Sequence, residues 1–317
     1  MNSHTIRLPE RLFEERIPNL LVLLNGGDGH GSINIDLSRV KFLTPSAIVT
    51  VLARCHRWWR EGKKIYLCGI NECENIGYLQ RMDFLKHLGI DYPENFRRHA
   101  AAYRFVPIQS LTFASGSVDV IASEITRCVF PDAAPDDDTF QALQYAAGEL
   151  LSNAKYHSAG RAFACAQFFP TRNLVRIAVA DDGIGIRGSF VGTSREQEAA
   201  TPDSAIRFAL LPGVSSALLR PNPNPYGGQN HRGVGLSITR ILAKEARGQL
   251  TIATESGWFD EIRGIEQSRP SGEFFVPGTV VAVSLHRDHI ADYAAMHAAA
   301  MAEIGMTSLD TRGMFLD

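Results

Sequence analysis

The side chains of this sequence best suited to chemistry lie in four short stretches. In "YAAGELLSNAKYHS", Glu149, Asn153 and His157 recur at i, i+4 and i+8, one polar stripe along a helix. Leu143, Ala146, Leu150, Leu151 and Ala154 supply the apolar positions of that helix. Asn is a poor mid-helix residue and asks for a reason. A carboxylate and an amide oxygen one turn apart can position a water and a magnesium ion, because Mg²⁺ prefers oxygen and takes one or two ligands from protein. Taken alone, the stripe also fits a solvated helix face.

The second stretch is "VRIAVADDGIGIRG". Gly183, Gly185 and Gly188 spell G-x-G-x-x-G after an apolar run, the pattern of a dinucleotide-binding turn. That turn requires an amphipathic helix next, and "SFVGTSREQEAATP" at 189–202 has no such period. Its acidic partner would be Asp203, which sits at a helix start and not at the end of a second strand. The alternative is D-x-G-x-G. Val175, Ile177, Val179 and Asp181 share one strand face, so a carboxylate ends an apolar surface and needs a partner. The exocyclic amino group of adenine would be one, with Gly183 and Gly185 allowing close backbone approach. A plain strand followed by an Asp/Gly turn would look the same.

Third, "NHRGVGLSITRILAKEARG" places Gly233 and Gly235 before a helix marked by Ile238, Ile241 and Leu242. Free N–H groups at a glycine-rich helix start bind phosphate, and His231 and Arg232 add positive charge. Fourth, "PGTVVAVSL" puts Thr279 at the start of a strand.

The elements that must position these residues read as two units. The chain has 317 residues and a net charge of −2, enough for about two domains, with no basic excess to suggest nucleic acid. Residues 1–110 carry 15 basic and 11 acidic side chains and the remainder 17 and 23, an asymmetry that admits a weak contact between the halves. Cys55, Cys68, Cys73, Cys128 and Cys165 form no metal spacing and suit a reducing cytoplasm. "LLVLL" at 20–24 is too short to span a membrane, and no leader pattern is seen, so a cytoplasmic protein is expected. The first half alternates: strand 32–38, helix 46–62, strand 63–70, helix 76–90, a small α/β domain. The second begins with helix 138–157, then strands 161–169 and 173–180. A long irregular segment follows, with a helical piece near 203–219. Helix 236–247, strands 249–255 and 279–286 and an Ala-rich helix 289–304 complete it. Helices on one side of a mixed or antiparallel sheet make an α+β sandwich. Residues 91–118, 131–138 and 221–230 read as connectors.

The four stretches in this order, over roughly 120–286, resemble the GHKL ATPase superfamily of gyrase, the heat-shock chaperone ATPase, histidine kinases and the mismatch-repair ATPase. The resemblance implies a Bergerat-type sandwich with helices on one face of a mixed sheet, and a site for ATP and Mg²⁺. Asn153 would ligate Mg²⁺ and Glu149 would be the general base. Asp181 would accept from adenine, with Gly183 and Gly185 shaping the pocket and Thr279 supporting it. Residues 186–232 would be the lid. Arg232, Gly233, Gly235 and Leu236 would line the phosphate end. Glu149, and His157 as a further nucleotide-site residue, point to the anti-sigma serine-kinase branch.

The stretch "INIDLSRVKFLTPSAIVTVLARCHRWWREGKKIYLCGI" is similar to the STAS domains that partner those kinases, over roughly 5–110. There the phosphoacceptor turn aligns with Thr44, Pro45, Ser46 and Ala47, and Pro45 holds the position of the phosphorylated residue. This domain is therefore not expected to be phosphorylated in the usual way, and Ser46 reads as a helix N-cap. No histidine lies in a phosphoacceptor helix; His56 reads as a satisfied or surface histidine. The domains implied are 1–110 (STAS-like), 111–288 (ATP-binding) and 289–317 (helix and tail). The implied activity is ATP hydrolysis as a regulatory switch. The alternatives are serine/threonine phosphotransfer to a STAS-like partner, or ATP-gated binding without turnover. A protein partner is expected, and the tail could support a homodimer.

Overall fold

The alternating stretch at 32–38 folds as β3 (Ser32–Asp36), the centre of a parallel three-stranded sheet with β1 (Ser3–Arg7) and β5 (Lys64–Cys68). Parallel neighbours require crossovers. These are supplied by α1 (Ile17–Asn25) and α2 (Pro45–Arg60), with a short parallel pair, β2 (Arg11–Leu12) and β4 (Phe42–Leu43), between them. The structure is a computed structural model. It describes residues 3–98, 104–112, 117–158, 160–214, 216, 235–269 and 273–290, with isolated positions at 295, 298 and 302. The helix expected over 76–90 is broken into α3 (Ile76–Arg81) and α4 (Phe84–His87). Asp83 between them takes a left-handed conformation at φ 60°, which Asp tolerates better than most residues.

The second half contains β6 (Phe105–Leu111), α5 (Val118–Val129), α6 (Asp138–His157), β7 (Ala162–Phe169), β8 (Leu174–Asp181), α7 (Gly185–Phe190) and α8 (Pro202–Ala209). It continues with α9 (Gly235–Glu245), β9 (Gln249–Glu255), β10 (Gly257–Ile262), β11 (Ile265–Glu266) and β12 (Val276–His286). The strands form one seven-stranded sheet in the order β11-β10-β9-β12-β8-β7-β6. Every pairing in it is antiparallel, one of the two arrangements read from the residues, and this corrects the mixed sheet implied by the resemblance. Short chain reversals join β7 to β8 and β9 to β10, and such connections allow only antiparallel pairing. β6 lies within the stretch read as a connector and runs across the domain boundary placed at 110. It is an edge strand, with a register shift at Pro107, where a proline is tolerated.

The sheet is covered on both faces, another departure from the one-sided sandwich. On β8, Val175, Ile177 and Val179 join a core built with α5, α6 and α9, while Ala178 and Ala180 join the core of the first half. The second face is covered by α2, which packs on β8, β7 and β12 and touches β5 on its other side. Residues 45–55 of α2 are all buried, as a helix sandwiched between two sheets requires. Cys165, Ala178 and Ala180 present small side chains to it, so helix and sheet approach closely.

The molecule is thus a mixed α/β protein in which the two halves share a core. Among the described residues no helix is long and apolar enough to cross a membrane. The Ala-rich helix expected over 289–304 falls almost wholly outside the described residues.

Candidate functional site

A cleft opens where the carboxyl end of β8 meets α6, α7, the start of α9 and β12. It encloses about 880 Å³ of empty space, its open mouth included. Seven of the candidate nucleotide-site residues line it: Glu149, Asn153, Asp181, Gly185, Gly235, Leu236 and Thr279. Gly183 lies directly behind Asp181 and donates its N–H to Oδ1 at 2.9 Å. His157 ends α6, with its side chain outside the described residues; Arg232 and Gly233 lie outside them altogether.

Asp181 is 6% exposed at the end of the apolar stripe of β8. Burial pushes its carboxyl up to about 7, against the stabilising N–H of Gly183; the charge of Asp182 adds to the rise, and the N–H and hydroxyl of Thr279 oppose it. Among the described residues no cation pairs with it. The surrounding backbone is tightly closed. A Cβ on Gly183 would overlap the Ser158 carbonyl oxygen, and one on Gly278 would overlap the Asp181 carbonyl. Gly185, at φ +72°, turns the chain away, and Thr254 staples the turn. Its Oγ1 donates to the Gly278 carbonyl at 2.9 Å and accepts from the Ile186 N–H at 3.1 Å.

Gly278 and Thr254 are the parts of this wall that the sequence reading missed. Gly278 carried a signal, since a strand-interior glycine marks close backbone approach, here at the β12 bulge between Val276 and Thr279. Thr254 is a hydroxyl in a β-rich run and carried none.

Glu149 is half-buried on α6, and burial raises its pKa against a hydrogen bond with Tyr145. A Cβ on Gly235 would press on the Glu149 side chain, so the glycine lets α9 begin close against that carboxylate. Asn153 follows one turn along α6, and its side chain has no hydrogen-bond partner among the described residues. Val179, Ile186, Phe190 and Val281 give the cleft apolar walls.

The segment expected to form the lid is ordered over its described part. Phe190 and Phe208 pack at 5.1 Å between centroids with Ala199 and Ala205, and Asp203 accepts from the Trp258 N–H at 3.0 Å. Residues 186–214 thus pack among themselves, with Phe190, Ala209 and Val214 lining the cleft; most of 215–232 lies outside the described residues.

Asp182, one residue past Asp181, faces the other way and is fully buried. His56 Nδ1–H donates to its Oδ2 at 2.6 Å, the Arg161 N–H donates to Oδ1 at 2.7 Å, and the Arg60 guanidinium lies 3.2 Å from Oδ1. Burial alone would raise this carboxyl, but the His56 and Arg161 hydrogen bonds and the His56 and Arg60 charges hold it below the ordinary range. His56 is thus a satisfied histidine, as expected. At 44–47 the N-cap expectation is corrected: Thr44, not Ser46, occupies the cap position of α2, and it makes no capping hydrogen bond because its hydroxyl is engaged by the Ser46 side chain. Ser46 instead bonds Thr44 Oγ1 at 2.8 Å and donates to Glu14 at 3.3 Å, and Thr44 and Ser46 are fully buried.

No protein-family model, curated protein or solved structure matches this chain.

Proposed function

We propose that the cleft binds Mg-ATP and that the chain is a GHKL-type ATPase used as a switch, its first half a STAS-like interaction module. One observation carries the reading: Glu149, Asn153, Asp181 and Thr279, distant in sequence, line a single cleft with apolar walls. The donor set suits the ligand. Asp181 is a buried acceptor with no cation beside it among the described residues, matched to the amino group of adenine, and Val179 and Ile186 would flank the base. Asn153, whose side chain has no hydrogen-bond partner among the described residues, would offer its amide oxygen to Mg²⁺, which when bound would neutralise phosphate charge.

Glu149 takes the proton of a water that attacks the γ-phosphorus as the bond to the bridging oxygen breaks. A carboxylate raised toward neutrality by burial is better matched to that proton than an ordinary one. The packing of α9 against Glu149 holds the base beside the helix start that resembles a phosphate grip. The buried Thr44 and Ser46 are not presented as acceptors, so a phosphotransfer variant of the same chemistry needs a separate partner. The test is phosphate release from Mg-ATP by wild type and Glu149→Ala. Loss of release in the variant supports the assignment of the base, and equal rates overturn it.

A further inference from the structure

The two aspartates of "ADDGIG" lie on opposite faces of one sheet. Strand side chains alternate, so Asp181 extends the face of Val175, Ile177 and Val179, while Asp182 extends that of Ala178 and Ala180, against α2. The carboxylate of Asp182 takes two of its three polar contacts from the first half of the chain, His56 at 2.6 Å and Arg60 at 3.2 Å; the third is the Arg161 N–H. Arg57 also reaches the Asp182 carbonyl at 3.5 Å. The His56 ring is held edge-on by Phe163 at 5.8 Å and by Trp59 at 6.4 Å. A Cβ on Gly160 would strike Asp182 Oδ1, so the loop before β7 closes the same carboxylate in. The turn at 181–185 is therefore fixed from two sides: Thr254 and Thr279 of its own sheet, and α2 of the other half.

We infer that His56 and Arg60 are positioning residues for the base-binding turn, so that the first half of the chain sets the adenine affinity of a cleft it does not line. This rests on the nucleotide reading above. The coupling works through the peptide between Asp181 and Asp182. Releasing Asp182 from α2 lets the turn relax, and Asp181 loses its fixed aim. By reciprocity, nucleotide in the cleft tightens α2 against the sheet, and a partner that draws α2 away weakens nucleotide binding.

The experiment compares ATP and GTP affinities by calorimetry for wild type, His56→Ala, Arg60→Ala and Tyr78→Phe. Arg60 is half-exposed, so its variant folds even where removal of His56 is not tolerated. Tyr78→Phe removes a different hydrogen bond between the halves, to Gln167 at 2.7 Å. A positioned Asp181 recognises an amino group that guanine lacks at that place. The His56 and Arg60 variants are expected to lose about 5- to 10-fold in ATP affinity while GTP affinity holds, shrinking the preference; Tyr78→Phe leaves it unchanged. An unchanged ATP/GTP ratio in both α2 variants, or the same shrinkage in Tyr78→Phe, overturns the inference while leaving the nucleotide reading intact. Absence of ATP binding by wild type overturns that reading and the inference together. ATP is also expected to slow amide exchange in α2; unchanged exchange contradicts the reciprocal half of the inference.

Discussion

On one face of the seven-stranded sheet Asp181 is buried with no cation beside it among the described residues; on the other, one residue along, Asp182 is gripped by His56 and Arg60. The cleft face keeps space and a carboxylate that only neutral donors reach among the described residues, and the covered face packs α2 over β7, β8 and β12 and pairs its charge. The difference teaches that burial alone does not mark a site. A buried carboxylate in an open cleft, hydrogen-bonded but with no cation beside it among the described residues, costs stability and is explained by a ligand, whereas an ion-paired one under a helix is explained by the fold.

The largest effect expected is on turnover. Glu149→Gln removes the base and should lower phosphate release by about 10²- to 10⁴-fold while ATP binding changes little. The first half should answer in stability, where Trp58 packs beside Gly27 and donates to Asp28 at 3.0 Å. Trp58 is fully buried, and Trp58→Ala is expected to cost about 3–5 kcal/mol in denaturant unfolding. The two aspartates should then part in sign. The pKa of Asp181 is raised to about 7, so its folded state favours the proton and stability falls as pH rises from the ordinary carboxyl range to about 7. The pKa of Asp182 is depressed, so its contribution is present above that range and is lost as pH falls through its folded value. At pH 8 without nucleotide, Asp182→Asn should cost about 3 kcal/mol, the scale for breaking a buried pair, while Asp181→Asn should be neutral or stabilising. Shifts of the same sign in both would erase the contrast. Smallest, Thr254→Val removes the staple of the turn and should cost about 1 kcal/mol.

Much of the cleft was legible because its residues break a period. Asn153 is a poor helix former set inside a helix, and Asp181 ends an apolar alternation. The glycine contacts were legible only in kind: the D-x-G-x-G spacing marked Gly183 and Gly185, but that Gly278 lies against Asp181 follows from strand pairing across a bulge. In the fold, β3, α2, α6, β7 and β8 follow their hydrophobic patterns closely. β6 was hidden by Pro107 and β1 by having only one apolar residue in "SHTIR". The role of α2 was hidden for a different reason. Its burial on all sides reflects a second sheet far along the chain, and a periodicity reading sees one helix at a time. The pairing of His56 with Asp182 is likewise a contact across 126 positions, with no local signature.

The central claim is that Asp181 recognises a base in this cleft. Its most direct test is calorimetric titration of Mg-ATP into wild type and Asp181→Asn. In the variant the single amide oxygen is already occupied by the Gly183 N–H. Wild type is predicted to bind, and the variant to bind about 10- to 100-fold more weakly, the loss of one hydrogen bond to a charged group. Equal affinities, or no binding by wild type, would contradict the account.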